Sequence, residues 1–479
     1  HSAAAWFREQ HLLGEAIDHL LSAGDPAAAV ALVEDDDLYL LDRSQMSTML
    51  GLISKLPADL VLASVRLQLD IGWANTELQR LDEAAEARRR SLDLLDVLDL
   101  PADQITRLRV ESDVLQANID CMADRVLGMK DLVAECLADP APHSAFVVSM
   151  AALLDTFAGT YEFRFADADR RQRWAAPYHS RTTGPYTVAY EYCFAGLAKA
   201  EQLDVDGAIE LYRRAHQLVR DAGNTQSHHA RLTRALLAEQ LYLRNHLDEA
   251  EELLAENFYA ATLGGTADFM IRHYCIRARI ASIHGDRTAT LHELDEGSHT
   301  ADLLSLPRLR AAVDNERVQL GMPLRPGFSP VPRTRKQDPS DGIGQITAQL
   351  EDEIAITLLL RTGDPEQIRT AVDWAREWTR SLEGTDRILA WLYAGRLLVS
   401  CLWAAGDADE AQAALAPVAT RCAQRGLIRF LPDGGANVMA ALTSLTAHLK
   451  GAGDREIGRQ LPDTFVDDVF ACARGDTSS

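Results

Sequence analysis

Apolar residues return every three to four positions along almost the whole chain, as in Trp6, Phe7, Leu13, Ile17, Leu20 and Leu21. No stretch alternates apolar with polar residues as a half-buried strand would, so the pattern predicts an all-α protein. Turn signals punctuate the stripes. In several of them a Gly or a polar pair is followed by an acidic residue and then Ala: Leu13-Gly14-Glu15-Ala16, Leu81-Asp82-Glu83-Ala84, Asp206-Gly207-Ala208, Leu247-Asp248-Glu249-Ala250 and Gly406-Asp407-Ala408-Asp409-Glu410-Ala411. The acidic residue there faces the positive end of the helix that follows.

Spacing carries the next step. Ala168, Ala208 and Ala250 lie 40 and 42 residues apart at equivalent turns, Gly285 repeats the turn, and Gly363 and Gly406 are 43 apart. A period of about 35–45 residues with two helices per unit predicts a helical solenoid of roughly eleven or twelve pairs. One segment, Met322 to Gly344, breaks the pattern with Pro323, Pro326, Pro330, Pro332 and Pro339 beside Arg325, Arg333, Arg335 and Lys336, a composition that does not propagate helix. It reads as an exposed loop, with a basic docking segment as the alternative. The expected organisation is therefore helical repeats over 1–321, a Pro-rich basic loop over 322–344 and further repeats over 345–479. Helix placement between Gly285 and Gly363, where the period doubles, is not legible from the pattern.

Tyr192, Gly196, Ala208, Tyr212 and Ala215 resemble the large and small positions of a tetratricopeptide repeat, which implies a right-handed superhelical α-solenoid of tetratricopeptide-like helix pairs. The next unit keeps only Leu237, Ala238, Ala250 and Leu254. A second resemblance covers both ends of the chain: His1–Phe7, Leu13–Asp25, Leu56-Pro57 and Leu69–Ala74 near the start, Gly406-Asp407, Arg425–Gly435 and Leu461–Val466 near the end. These stretches are similar to the region between the ATPase and the DNA-binding domain of the MalT-like group of large LuxR-type bacterial transcription regulators. That resemblance implies an effector-sensing region that binds a small-molecule inducer in its concave groove and controls activation or self-association of a parent protein. ATP is then expected only in a missing N-terminal part, and the chain is expected to be a piece of something larger, ending before any recognition helix. A protein-interaction scaffold for a peptide or partner regulator is the alternative.

Composition narrows the classes. With 48 Lys+Arg against 71 Asp+Glu the net charge is −23, which repels phosphate backbones and argues against direct nucleic-acid binding. The longest strongly apolar stretch, Ala145 to Leu154, is shorter than the roughly 20 residues of a membrane span, no signal peptide is recognisable, and a cytoplasmic location is expected. The seven cysteines are scattered and read as small buried apolar residues. There is no H-E-x-x-H, G-x-S-x-G, G-x-x-x-x-G-K-[ST], G-x-G-x-x-G or zinc spacing, so no enzyme, cofactor or metal site is expected. His228-His229, the set His284, His292, His299 and the run Glu34–Asp37 read as core or solvated residues.

Aromatics are unevenly placed: Phe157, Tyr161, Phe163, Phe165, Trp174, Tyr178, Tyr186, Tyr190, Tyr192 and Phe194, ten of the chain's 30, fall within 38 residues. The simplest role is packing. Carried onto this chain, the tetratricopeptide frame places Phe157, Tyr161, Tyr190, Glu239 and Tyr242 on the concave wall and Tyr192 and Phe194 in the core. Tyr186 shares the Tyr190 stripe, and Arg164 and Arg181 lie close enough in sequence to supply donors. With Trp174 and Tyr178 these make the expected ligand lining, since rings with a few placed polar groups suit a small organic ligand.

Overall fold

The computed structural model describes residues 2–10, 12–43, 45–182, 184–223, 227–255, 265–325, 327–329, 338–452 and 461–475. His1, Pro326, Pro330, Pro332, Arg333, Arg335, Lys336, Gly453-Asp454 and the last four residues lie outside them, as do the side chains of Asp36 and Asp37. Among the described residues there are 24 α-helices and no strand. Consecutive helices pack as antiparallel-type pairs, for example Val65–Glu77 with Leu81–Val97, Ala145–Tyr161 with Phe165–His179, Ala267–Ile283 with Arg287–Leu303, and Ile388–Ala405 with Ala408–Arg425. The chain is an all-α helical-repeat solenoid.

The repeat is written in the backbone more regularly than in the side chains. Gly24, Gln79, Asp124, Phe163, Leu203, Asn245, Gly285 and Gly406 each end the first helix of a pair with a left-handed φ between 57° and 87°. The next amide in each case donates to the carbonyl five residues back, as Arg164 does to Gly159 and Asp286 to Ala281, which closes the helix and launches its partner. Five residues after these turns stand Ala29, Ala84, Ala168, Ala208, Ala250 and Ala411, none more than 1% exposed. A small side chain there lets the second helix of the pair approach the first.

Two compact units share the chain: His1–Ala195, Arg213–Thr233 and Phe258–Thr266 form the first, and Gly196–Tyr212, Arg234–Asn257 and Ala267–Ser479 the second. In the first, Arg66 ties neighbouring pairs by gripping Glu111 through both carboxylate oxygens, at 2.7 and 2.6 Å, and Asp70 at 2.9 Å. In the second, the helix Pro307–Gln319 is followed, among the described residues, by no further helix until Gly342–Arg361, which Asp341 caps by accepting from the Gly344 amide. The doubled period from Gly285 to Gly363 therefore holds, among the described residues, the helices Arg287–Leu303, Pro307–Gln319 and Gly342–Arg361, the last two flanking the Pro-rich segment. Its residue Arg325 is anchored to the buried Asp314 at 3.2 Å.

All seven cysteines are buried thiols. The helix Ile388–Ala405 is long and apolar enough to cross a membrane by length and composition, which corrects the expectation that Ala145–Leu154 is the longest strongly apolar stretch. It packs between Pro365–Leu382, Ala408–Arg425 and Gly435–Ala452, the setting of a core helix.

Close approach of helices predicts a first measurable effect. A methyl group added at Gly196 would stand 2.3 Å from Cε1 of Tyr212, whose ring is fully buried and has nowhere to go. Alanine gains about 1 kcal/mol of helix propensity over glycine, but at 2.3 Å the overpacking cost lies at the upper end of the usual range, about 3 kcal/mol, so Gly196→Ala should be a net loss of about 2 kcal/mol. Thermal denaturation should show a midpoint several degrees lower; an unchanged or higher midpoint would mean the pair can spread freely.

Candidate functional site

The rings expected to line one wall are brought together in separate sets. In the first unit Phe157, Tyr161 and Phe194 are buried, and the Phe157 ring meets the other two at centroid distances of 4.8 Å (Tyr161) and 5.0 Å (Phe194). Tyr186 and Tyr190, each 2% exposed, meet edge to face at 5.2 Å, and Tyr186 also abuts His229 at 5.8 Å. Beneath them Glu77 accepts from Asn118 at 3.1 Å and from Tyr186, and burial pushes its carboxyl up to about 7. Burial also drives His229 down to about 3, so it is neutral beside the Ser227 hydroxyl. Trp174 and Tyr178 form a half-buried pair at 5.1 Å, crossed by the guanidinium groups of Arg171 and Arg181 at 4.9 Å each. Arg164 is exposed and paired with Glu162 and Asp167. Tyr192 is half-buried rather than core.

The remaining two members, Glu239 and Tyr242, belong to the second unit. Glu239 accepts from Arg272 at 3.1 Å. Tyr242 stands at the edge of the polar interior of that unit, which first helices of successive repeats build by a regular rule. Tyr242, Arg279, Glu316 and Glu353 are spaced 37 residues apart and project from four such helices. Arg279 grips both oxygens of Glu316 at 2.9 and 2.7 Å, Asn315 donates to Glu353 at 3.0 Å, and Asn437 to Ser400 at 3.3 Å.

Two adjoining cavities result, of about 270 and 150 Å³, and Gln319, Arg396 and Asp433 line both. Tyr242, Arg279 and Glu316 face the smaller one; Glu353, Arg361, Tyr393 and Asn437 face the larger. A short irregular stretch closes the interior. After the helix Ala408–Arg425 the chain makes two 3-10 turns, Ile428–Phe430 and Pro432–Gly434, before Gly435–Ala452 begins. From these turns Arg429 donates to the Asn245 side chain at 2.7 Å and lies over the Tyr242 ring at 5.2 Å, while Asp433 accepts from the Tyr242 hydroxyl at 3.0 Å. Cys472 adds a contact to Asn245 at 3.7 Å. Asn245 and Arg429 are 184 positions apart, so this clasp joins the start of the second unit to its end.

Sequence reasoning missed Arg279, Glu316, Glu353, Arg396 and Asp433. The recurrence of polar residues 37 apart, which begins at Tyr242, is the signal that leads to the first three.

No family model matches the chain. It is 39% identical over 436 residues, 90% of its own length, to the serine/threonine-protein kinase PknK of Mycobacterium tuberculosis, in strains CDC 1551 and H37Rv, and to PknK of Mycobacterium bovis. It spans about 39% of the length of these relatives. The chain is thus a helical-repeat region similar to part of PknK.

Proposed function

We propose that this helical-repeat chain is the effector-sensing region of a larger bacterial signalling protein, and that a small polar molecule binds in the interior of its second unit. The chain makes and breaks no bond and uses no cofactor. It acts in the cytoplasm by linkage: an effector that binds one state of the parent better, by about 1–3 kcal/mol, shifts the parent toward that state. One observation carries the reading. Tyr242 and Asp433, whose hydrogen bond joins parts of the unit 191 residues apart, both line the smaller cavity, and Asp433 lines the larger as well, so an occupant of either touches the clasp directly.

The similarity to PknK supports an output in which the parent phosphorylates serine or threonine, with the catalytic part outside the aligned region. The resemblance of Leu13–Asp25 and Leu461–Val466 to LuxR-type regulators supports a second output, control of transcription and self-association. Under either output the sensing task proposed for this region is the same.

The test is thermal denaturation of the purified chain against a panel of small polar metabolites, ATP, duplex DNA and peptides. A bound effector at a hundred times its Kd should stabilise by about 2.7 kcal/mol. Gln319→Trp, at an exposed position shared by both cavities, should abolish that response and leave the unliganded midpoint in place. Stabilisation by peptides alone would favour the scaffold, and a response that survives Gln319→Trp would place the effector elsewhere.

A further inference from the structure

The charges around the larger cavity are unequally satisfied. Each acid has donors of its own: Glu316 is held by Arg279, Asp433 by Tyr242, and Glu353 by Asn315 at 3.0 Å and Gln349 at 3.2 Å. Burial pushes the Glu353 carboxyl upward, toward its neutral form. The two arginines differ. Arg396 donates to the Phe430 carbonyl at 2.7 Å and stacks on the rings of Tyr393 and Phe430, at 5.0 and 4.6 Å, while Arg361 bonds only the Val318 carbonyl. Neither forms an ion pair with a described residue. The half-buried Arg396 and the exposed Arg361 thus face one polar cavity with their carboxylate neighbours already bonded elsewhere, although Arg396 lies near enough to Glu353 to favour its charged form.

The backbone is shaped to keep Arg396 there. A Cβ at Gly434 would stand 2.9 Å from its Cδ and 3.0 Å from its Cγ, so the glycine is what lets the arginine stem lie against the turn. The next residues, Gly435 to Asn437, also line the cavity as they begin an 18-residue helix, whose first amides have no partner within the helix and carry its positive end.

We propose that this cavity is a binding site for the oxygens of a small anion, a carboxylate or a phosphate, held by Arg396 and Arg361 and by the opening amides of the helix Gly435–Ala452. The inference rests on the sensing role above and gives its effector a chemical class. Arginine supplies paired N–H donors that match the geometry of both groups. The anion would sit near Asp433, hence beside the clasp, and its charge would meet two guanidinium groups that form no ion pair with a described residue, while the Asp433 carboxylate is held by the Tyr242 hydroxyl.

Inorganic phosphate and succinate are the probes, titrated into the whole chain and followed by calorimetry and thermal denaturation, with sodium chloride at matched ionic strength as the reference. At least one probe should bind saturably and raise the midpoint beyond the salt reference, and which one does so identifies the group. Arg396→Gln and Arg361→Gln should each weaken binding about tenfold or more, and Arg369→Gln, at an exposed arginine outside the cavity, should not. Arg361 is exposed at its helix end, so its variant remains informative if Arg396→Gln unfolds. No effect beyond salt, or binding that survives Arg361→Gln and Arg396→Gln, overturns the assignment. If neither anion binds but an uncharged metabolite does and Gln319→Trp blocks it, the anion assignment fails and the sensing role stands. If nothing in the panel responds to Gln319→Trp, both fail.

Discussion

Arg308→Ala should cost the second unit about 3–5 kcal/mol, because it takes the two-point partner from a carboxylate that has no access to water. Asp268 is fully buried; Arg308, its side chain 4% exposed, spans 40 residues to reach its two oxygens at 3.3 and 3.1 Å. Arg272 donates to the same carboxylate at 2.9 Å, and Asp268 lies in the first turn of the helix Ala267–Ile283, where the helix end favours negative charge. Those two supports set the loss nearer 3 than 5 kcal/mol. Pairing Arg308→Met with Asp268→Asn removes charge from both sides and should recover much of it, since replacing a buried pair is far cheaper than breaking one. Chemical denaturation of the two variants checks this. A loss below 1 kcal/mol for Arg308→Ala would mean water reaches Asp268 once the guanidinium is gone.

That pair also shows what the sequence conceals. Helix periodicity, the 40-residue rhythm and the small residues were legible because each is a local rule: Ala208 and Gly196 announce a close helix pair, and the structure puts Gly196 against the Tyr212 ring. The turns were legible from the acidic residue and alanine that follow them, as in Leu81–Ala84 and Leu247–Ala250, but the backbone conformation was legible only where glycine marks it. Gln79, Phe163 and Leu203 adopt the same left-handed φ as Gly285 and Gly406, although side chains disfavour it, so tertiary packing overrides the local preference there. The interior was less legible still. A frame that says which face a residue occupies does not say whether a neighbouring helix covers that face, and Tyr190 lies under Tyr186, Phe194 and His229. The clasp was invisible because nothing local links Asn245 to Arg429; only the accumulated turn of the repeats brings them together.

Raising the pH from about 5 to 8 should progressively destabilise the first unit, and Glu191→Gln should remove a large part of that dependence. Glu191 is fully buried; its Oε1 accepts from the Thr156 hydroxyl at 3.1 Å and its Oε2 has no partner. Burial lifts its carboxyl from 4.5 to about 8, opposed by the Thr156 bond and by the nearby Arg171 and assisted by Asp155, which itself accepts from Arg171 at 2.6 Å. Below pH 4.5 the group is protonated in both folded and unfolded chains and costs nothing. Above it the unfolded chain releases the proton while the folded one retains it, so the folded state binds more protons and stability falls as pH rises. The loss is complete once pH passes the folded value, and at about 1.4 kcal/mol for each tenfold change in proton affinity it amounts to about 5 kcal/mol. Glu77, raised to about 7 in the same unit, adds to the slope, so the variant should flatten the curve without levelling it. Glutamine keeps the shape and the acceptor toward Thr156 and carries no proton to lose. Denaturant midpoints for wild type and variant at pH 5, 6.5 and 8 decide the matter: the variant should be the more stable at pH 8 and closest to wild type at pH 5. Parallel curves would show that Glu191 keeps its charge in the fold, balanced by Arg171.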